Sequence, residues 1–81
     1  MAKVIFSSEL QRFTGGETSL VVRATNYREL VDEVVARYEL LQKEELAKMA
    51  VAIDGEIIHD PFLESVSAGS EVHFLFRISG G

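Results

Sequence analysis

With 81 residues, 47% of them hydrophobic, the chain holds material for one small core and none for a second domain or a large internal cavity. Thirteen acidic against eight basic residues leave a net charge of −5, which repels phosphate backbones and argues for a basic protein surface rather than nucleic acid as partner. Cysteine is absent, excluding disulfides and a thiol nucleophile, and no apolar run suits a signal peptide or a membrane span, so a soluble cytoplasmic protein is expected.

Lys3 to Ser7 is rich in β-formers, as is Ser19 to Ala24, and Thr14-Gly15-Gly16-Glu17 lies between them. The two read as a hairpin with a connection longer than a minimal turn. Gly15-Gly16 lacks the surrounding pattern of a phosphate cradle. Asn26 and Glu29 have capping-box spacing, so a helix starts near Tyr27. Tyr27, Leu30, Val31, Val34, Tyr38 and Leu41 then recur at helical intervals as one apolar stripe, while Arg28, Asp32, Glu33, Arg37 and Glu39 fall largely opposite as a solvated face. Lys43 to Lys48 either prolongs this helix or forms a polar connection, with Glu44 and Glu45 as surface charge.

Ala50 to Asp54 and Glu56 to His59 flank Asp54-Gly55, a dipeptide that tolerates the positive φ angles of tight turns, and predict a second hairpin. The segment Asp60-Pro61-Phe62-Leu63 is expected to cross the sheet with Phe62 or Leu63 plugging the core. After a turn at Ala68-Gly69-Ser70, the last strand, Glu71 to Ile78, alternates: Val72, Phe74, Phe76 and Ile78 face the core, while His73, Leu75 and Arg77 face outward. One apolar stripe on one helix, laid on a single mixed sheet, makes a two-layer α+β domain.

Conventional catalytic groupings are missing. His59 and His73 stand fourteen residues apart without a cysteine to supplement them, so no metal site is expected. The serines lie in no nucleophile-elbow motif, and no trio of side chains reads as a catalytic centre of the chain's own. Chemistry is implied instead by Gly80-Gly81 at the end of the sequence. Glycines without Cβ atoms let the walls of another protein approach closely. If extended, Ile78, Ser79, Gly80 and Gly81 reach roughly 13 Å, enough to deliver the Gly81 carboxylate to a partner's buried site. An ionised carboxylate is a poor electrophile and needs activation, most simply as an acyl adenylate made from ATP.

These segments together resemble the ubiquitin-like sulfur carriers, specifically the small-subunit family of molybdopterin synthase. Lys3-Val4-Ile5-Phe6 resembles the family's first strand, and Leu10-Gln11-Arg12-Phe13-Thr14-Gly15 its helical turn and loop. Met49 to Glu56 resembles its third strand and turn, Ala68 to Phe74 the segment leading into its last strand, and Gly80-Gly81 its ending. The resemblance implies a β-grasp domain over residues 1–78, a mixed sheet with one main helix on one face, and a flexible diglycine tail at 79–81. It implies that Gly81 is the reacting residue, adenylated by an ATP-dependent, ubiquitin-activating-like enzyme and then thiocarboxylated. Ile78, Ser79 and Gly80 would thread a channel in the synthase large subunit, and Leu75, Phe76 and Arg77 would dock beside it. No cofactor is implied on the chain itself; ATP belongs to the activating enzyme. Leu75-Phe76-Arg77-Ile78-Ser79 stands where the family usually has a proline-rich approach, and is closer to the tail of ubiquitin. That departure leaves open thiamin synthesis, another thiolation pathway, conjugation to proteins through Gly81, or a non-covalent binding domain. Whether the chain counts as an enzyme, as a sulfur-donating subunit, is open on the same ground.

Overall fold

The computed structural model describes residues 1–75. Strands β1 (Ala2–Ile5) and β2 (Ser19–Val22) pair antiparallel, and helix α1 (Tyr27–Arg37) follows, with a short α2 (Lys43–Ala47) behind it. The hairpin β3 (Ala50–Ile53) and β4 (Glu56–Ile58), a 3-10 turn at Pro61–Leu63, and β5 (Glu71–Leu75) complete the chain. The sheet order is β2-β1-β5-β3-β4, with β5 parallel to β1 and antiparallel to β3. The strand that leads toward Gly81 is therefore the central one.

One face of this sheet is closed by α1. Val4, Val22, Val51, Val72 and Phe74 from the strands meet Leu30 and Val34 from the helix, all fully buried. Tyr27 begins the helix and tilts against Phe74, with ring centroids 6.1 Å apart. Its start is fixed by Asn26, whose backbone is extended and whose Oδ1 accepts the Glu29 N–H at 2.8 Å. The predicted stripe overshoots the helix end. Tyr38 is extended, so α1 stops at Arg37, and Leu41 returns to the core through a turn in which its N–H donates to the Tyr38 carbonyl. Lys43 to Lys48 neither prolongs α1 nor serves as a merely polar link: α2 is a separate helix that buries Leu46, and Met49 follows it into the core.

The crossover after β4 corrects one expectation. Phe62 and Leu63 do not plug the core but are 54% and 90% exposed. The Pro61 carbonyl accepts the Glu64 N–H, and both side chains lie on the outside of that tight turn, where Arg28 sits over the Phe62 ring at 5.3 Å. Val66, 3% exposed, supplies the plug. It is held by strand-like bonds, Val66 N–H to Thr25 carbonyl and Tyr27 N–H to Glu64 carbonyl, which tie the crossover to the first turn of α1. The β3–β4 hairpin turns on Asp54 (φ 51°) and Gly55 (φ 84°), the two left-handed residues its dipeptide predicts. The expected run of the last strand through Phe76 to Ile78, and the division at residue 78, fall outside the described residues.

Candidate functional site

The residues nominated from the sequence divide at Leu75. Phe76, Arg77, Ile78, Ser79, Gly80 and Gly81 lie outside the described residues. Leu75 is the last residue of β5, half-buried, and stands opposite Ala50 of β3. Because cross-strand partners share a face, the pairing shows what surrounds it. Ser19, Ile5, His73, Ala52 and Ile57 form one row across all five strands on the side away from α1. Leu75 and Ala50 stand beside that row toward the exit of β5, and Val21, Lys3 and Glu71 stand on its other side.

This open face is apolar for much of its width. Val21 and Ile57 are 57% and 56% exposed, at opposite margins of the sheet, with Ile5, Ala50, Ala52 and Leu75 between them. Of these, sequence reasoning nominated Leu75 alone. The others were missed because each occurs singly within a strand whose alternate positions are also apolar; only the register of five strands assembles them. A second signal was available in retrospect: Val21 and Ile57 occupy the outward positions of their own alternations.

The far end of β5 is held rigidly. Asp54 Oδ1 accepts the Glu71 N–H at 2.9 Å and Oδ2 accepts the Ser70 hydroxyl at 2.9 Å, while Ser70 Oγ accepts the Ser67 N–H at 3.2 Å. These bonds to Glu71 and Ser70 hold the Asp54 carboxyl below the usual carboxylate range. The clamp fixes the strand at its start, and Leu75 stands at its other end.

Among the described residues, nothing else resembles a reaction centre. A cleft of about 340 Å³ between α1, α2 and the 3-10 turn is lined by Tyr27, Val31, Phe62 and the Asp32–Lys43 pair, on the opposite side of the molecule from the open face. It contains none of the nominated residues. Among the described residues, no group of three or more histidine, aspartate or glutamate side chains is placed to hold a metal ion. No helix among them is long and apolar enough to cross a membrane.

A mixed five-stranded sheet wrapped on one main helix, with its central strand running toward the diglycine, defines a ubiquitin-like β-grasp domain. Solved structures share this fold. A chain from the crystal structure of the Amycolatopsis orientalis BexX/CysO complex is 25% identical, with a TM-score of 0.80 and full coverage of both chains. SAMP1 from Haloferax volcanii is 18% identical at a TM-score of 0.75, covering 99% of this chain and 98% of that one. A chain from the complex of subunits 1 and 2 of the molybdopterin-converting factor of Helicobacter pylori 26695 is 24% identical at 0.70, covering 99% and 97%. No curated protein sequence matches. The family match is decisive: residues 4–81 fit the ThiS family, and the chain belongs to that family of ubiquitin-like sulfur carriers.

Proposed function

We propose that this chain carries sulfur on the carboxyl group of Gly81 and delivers it in molybdopterin biosynthesis. The observation that supports the reading best is the extent of the family match, which runs through Gly80-Gly81 and so includes the proposed working end. On a cytoplasmic adenylating enzyme the Gly81 carboxylate attacks the α-phosphorus of ATP, releasing pyrophosphate and forming an acyl adenylate. A hydrosulfide equivalent from a sulfur donor displaces AMP and leaves a thiocarboxylate. Residues 1–78 form the body and 79–81 the tail, which enters the large subunit of molybdopterin synthase and yields its sulfur to a pterin precursor. The open face supplies docking, with Leu75, Phe76 and Arg77 at the base of the tail. In the Helicobacter pylori neighbour, subunit 1 is in complex with subunit 2, the kind of partnership this reading requires.

A second reading has its own support. The BexX/CysO neighbour combines a higher identity and TM-score than the molybdopterin-converting factor, which favours a carrier of the same chemistry serving another acceptor. One experiment tests both. The chain is incubated with ATP, a sulfur donor and its adenylating enzyme, and then offered to the synthase large subunit with pterin precursor. A sulfur-for-oxygen mass change on Gly81 followed by dithiolene formation is expected. Loading without transfer moves the chain to the second reading, and no loading by an enzyme active on another carrier overturns both. One residue appended after Gly81, or Gly80→Val, is expected to abolish sulfur transfer while leaving the melting temperature near wild type.

A further inference from the structure

Aspartate followed by glycine is a point at which a protein backbone can rearrange without help from an enzyme. The nitrogen after the aspartate attacks the side-chain carboxyl carbon and closes a five-membered succinimide, and glycine, having no Cβ, does not obstruct the approach. The asparagine and the three aspartates of this chain precede Tyr27, Glu33, Gly55 and Pro61, so Asp54-Gly55 is the one such pair.

The attacking side of this pair is open. Gly55 stands at the tip of the β3–β4 hairpin, where a Cβ would meet nothing within 4 Å, and its N–H has no acceptor among the described residues. The attacked side is tied down. Asp54 Oδ1 accepts the Glu71 N–H and Oδ2 the Ser70 hydroxyl, both at 2.9 Å, and the Asp54 N–H donates back to the Glu71 carbonyl at 2.9 Å. Both oxygens are therefore held against the start of β5. The same donors favour the ionised group and keep it below the usual carboxylate range. Cyclisation expels a carboxyl oxygen as water, which a carboxylic acid does readily and a carboxylate does not, so the clamp withholds both the rotation and the proton. The charged residues of the strands that meet here are Glu56 on β4, Glu71 on β5 and Lys3 opposite it on β1, and none of their side chains bonds to the Asp54 carboxyl.

We propose that Asp54-Gly55 is a latent site of self-modification, which rearranges to isoaspartate when its carboxyl is released from Ser70 and the Glu71 amide. The Gly55 nitrogen attacks Cγ of the Asp54 carboxylic acid; the new C–N bond replaces the Cγ–OH bond, and the hydroxyl leaves with the Gly55 proton as water. A second water opens the succinimide at the former main-chain carbonyl carbon, so the composition of the chain is unchanged. The product runs its backbone through Cβ and Cγ, one methylene longer, and leaves its carboxylate on Cα. The turn then loses its left-handed pair, and Ser70 and Glu71 lose their acceptor. None of this requires Gly81 or its activation, so the inference stands or falls apart from the carrier reading.

The test incubates the full-length protein and the peptide acetyl-Ala-Ile-Asp-Gly-Glu-Ile-amide from pH 7 to pH 4, over the range in which the protein stays folded. Isoaspartate is counted by methyl transfer from labelled S-adenosylmethionine with an isoaspartyl methyltransferase and located by peptide mapping. Isoaspartate at Asp54 is expected, with Asp32 and Asp60 unchanged, and its formation in the folded protein should set in at a lower pH than in the peptide. Ser70→Ala removes one of the two bonds to the carboxyl and is expected to speed formation about fivefold or more. Ser70→Thr keeps the hydroxyl and is expected to react more slowly than Ser70→Ala. Should Ser70→Ala not fold, the pH comparison on the wild type decides. Coincident pH profiles for protein and peptide, a folded Ser70→Ala no faster than wild type or Ser70→Thr, or isoaspartate arising first at another residue would each overturn the proposal.

Discussion

Asp54 combines two demands that few residues meet together. Its φ of 51° places it in the left-handed region, and its carboxylate must accept from both Ser70 and Glu71 to pin the start of β5. Asparagine tolerates the same backbone but carries no charge, which separates the two roles. Because the folded-state pKa is depressed, the stabilisation is present above the ordinary aspartate value of about 3.9 and is lost as pH falls through the lower folded value. Denaturant midpoints measured from pH 7 down to pH 2.5 should therefore fall for the wild type and fall less steeply for Asp54→Asn. Tyr38 makes the opposite point. Its ring packs edge-on against Phe6 at 5.4 Å, yet among the described residues its buried hydroxyl has no partner within hydrogen-bond distance, and burial, with the Glu17 carboxylate nearby, pushes its pKa up to about 12. Tyr38→Phe keeps the ring and removes the orphaned group, so an unfolding free energy equal to wild type or up to about 1 kcal/mol higher is expected from denaturant titration.

Helix α1 owes its position to its first turn. Asn26 caps the Glu29 amide, the Glu64 carbonyl accepts the Tyr27 N–H, and Asn26 forms a bridge with Ser65, so one short stretch fixes helix, crossover and core together. Asn26→Ala should cost about 1 kcal/mol in equilibrium unfolding, and Asn26→Asp should restore most of it, since either side-chain oxygen accepts the same bond. This start was legible in the sequence because capping is local chemistry. The end was not. Tyr38 and Leu41 satisfy helical spacing and are buried, but the chain reaches them by leaving the helix, and periodicity records burial without recording the path. Phe62 and Leu63 failed for a related reason: apolarity beside a proline marks a turn without saying which way its side chains point. Val66, between two serines, gave no sign of being the plug. Leu46 and Met49 were similarly masked by the charges around them. The β3–β4 hairpin was legible because Asp54-Gly55 prescribes its own backbone.

At the level of the molecule, the proposed function is divided between two features of different legibility. The diglycine was visible as two letters, while the open face exists only once all five strands are in register. Ile57 is exposed and sits at the margin of that face, so Ile57→Asp should leave the melting temperature near wild type. It should weaken binding of the adenylating enzyme or synthase subunit by about tenfold or more, as measured by calorimetry. Undiminished binding would move the docking surface elsewhere. The net charge of −5 adds an independent expectation: association with basic partners should slow as salt is raised, through the on-rate more than the off-rate.

The parallel pairing of Val4 with Val72 joins the earliest and latest strands of the body at the middle of the sheet. A nascent chain emerging from the ribosome has β1 long before it has β5, and until β5 arrives the hairpins on either side have nothing to join them. A message cut short anywhere upstream of that strand yields a fragment with an open seam, not a smaller working carrier. The strand that closes the sheet is also the one that leads to the residues proposed to react, so a fragment lacking it loses both together.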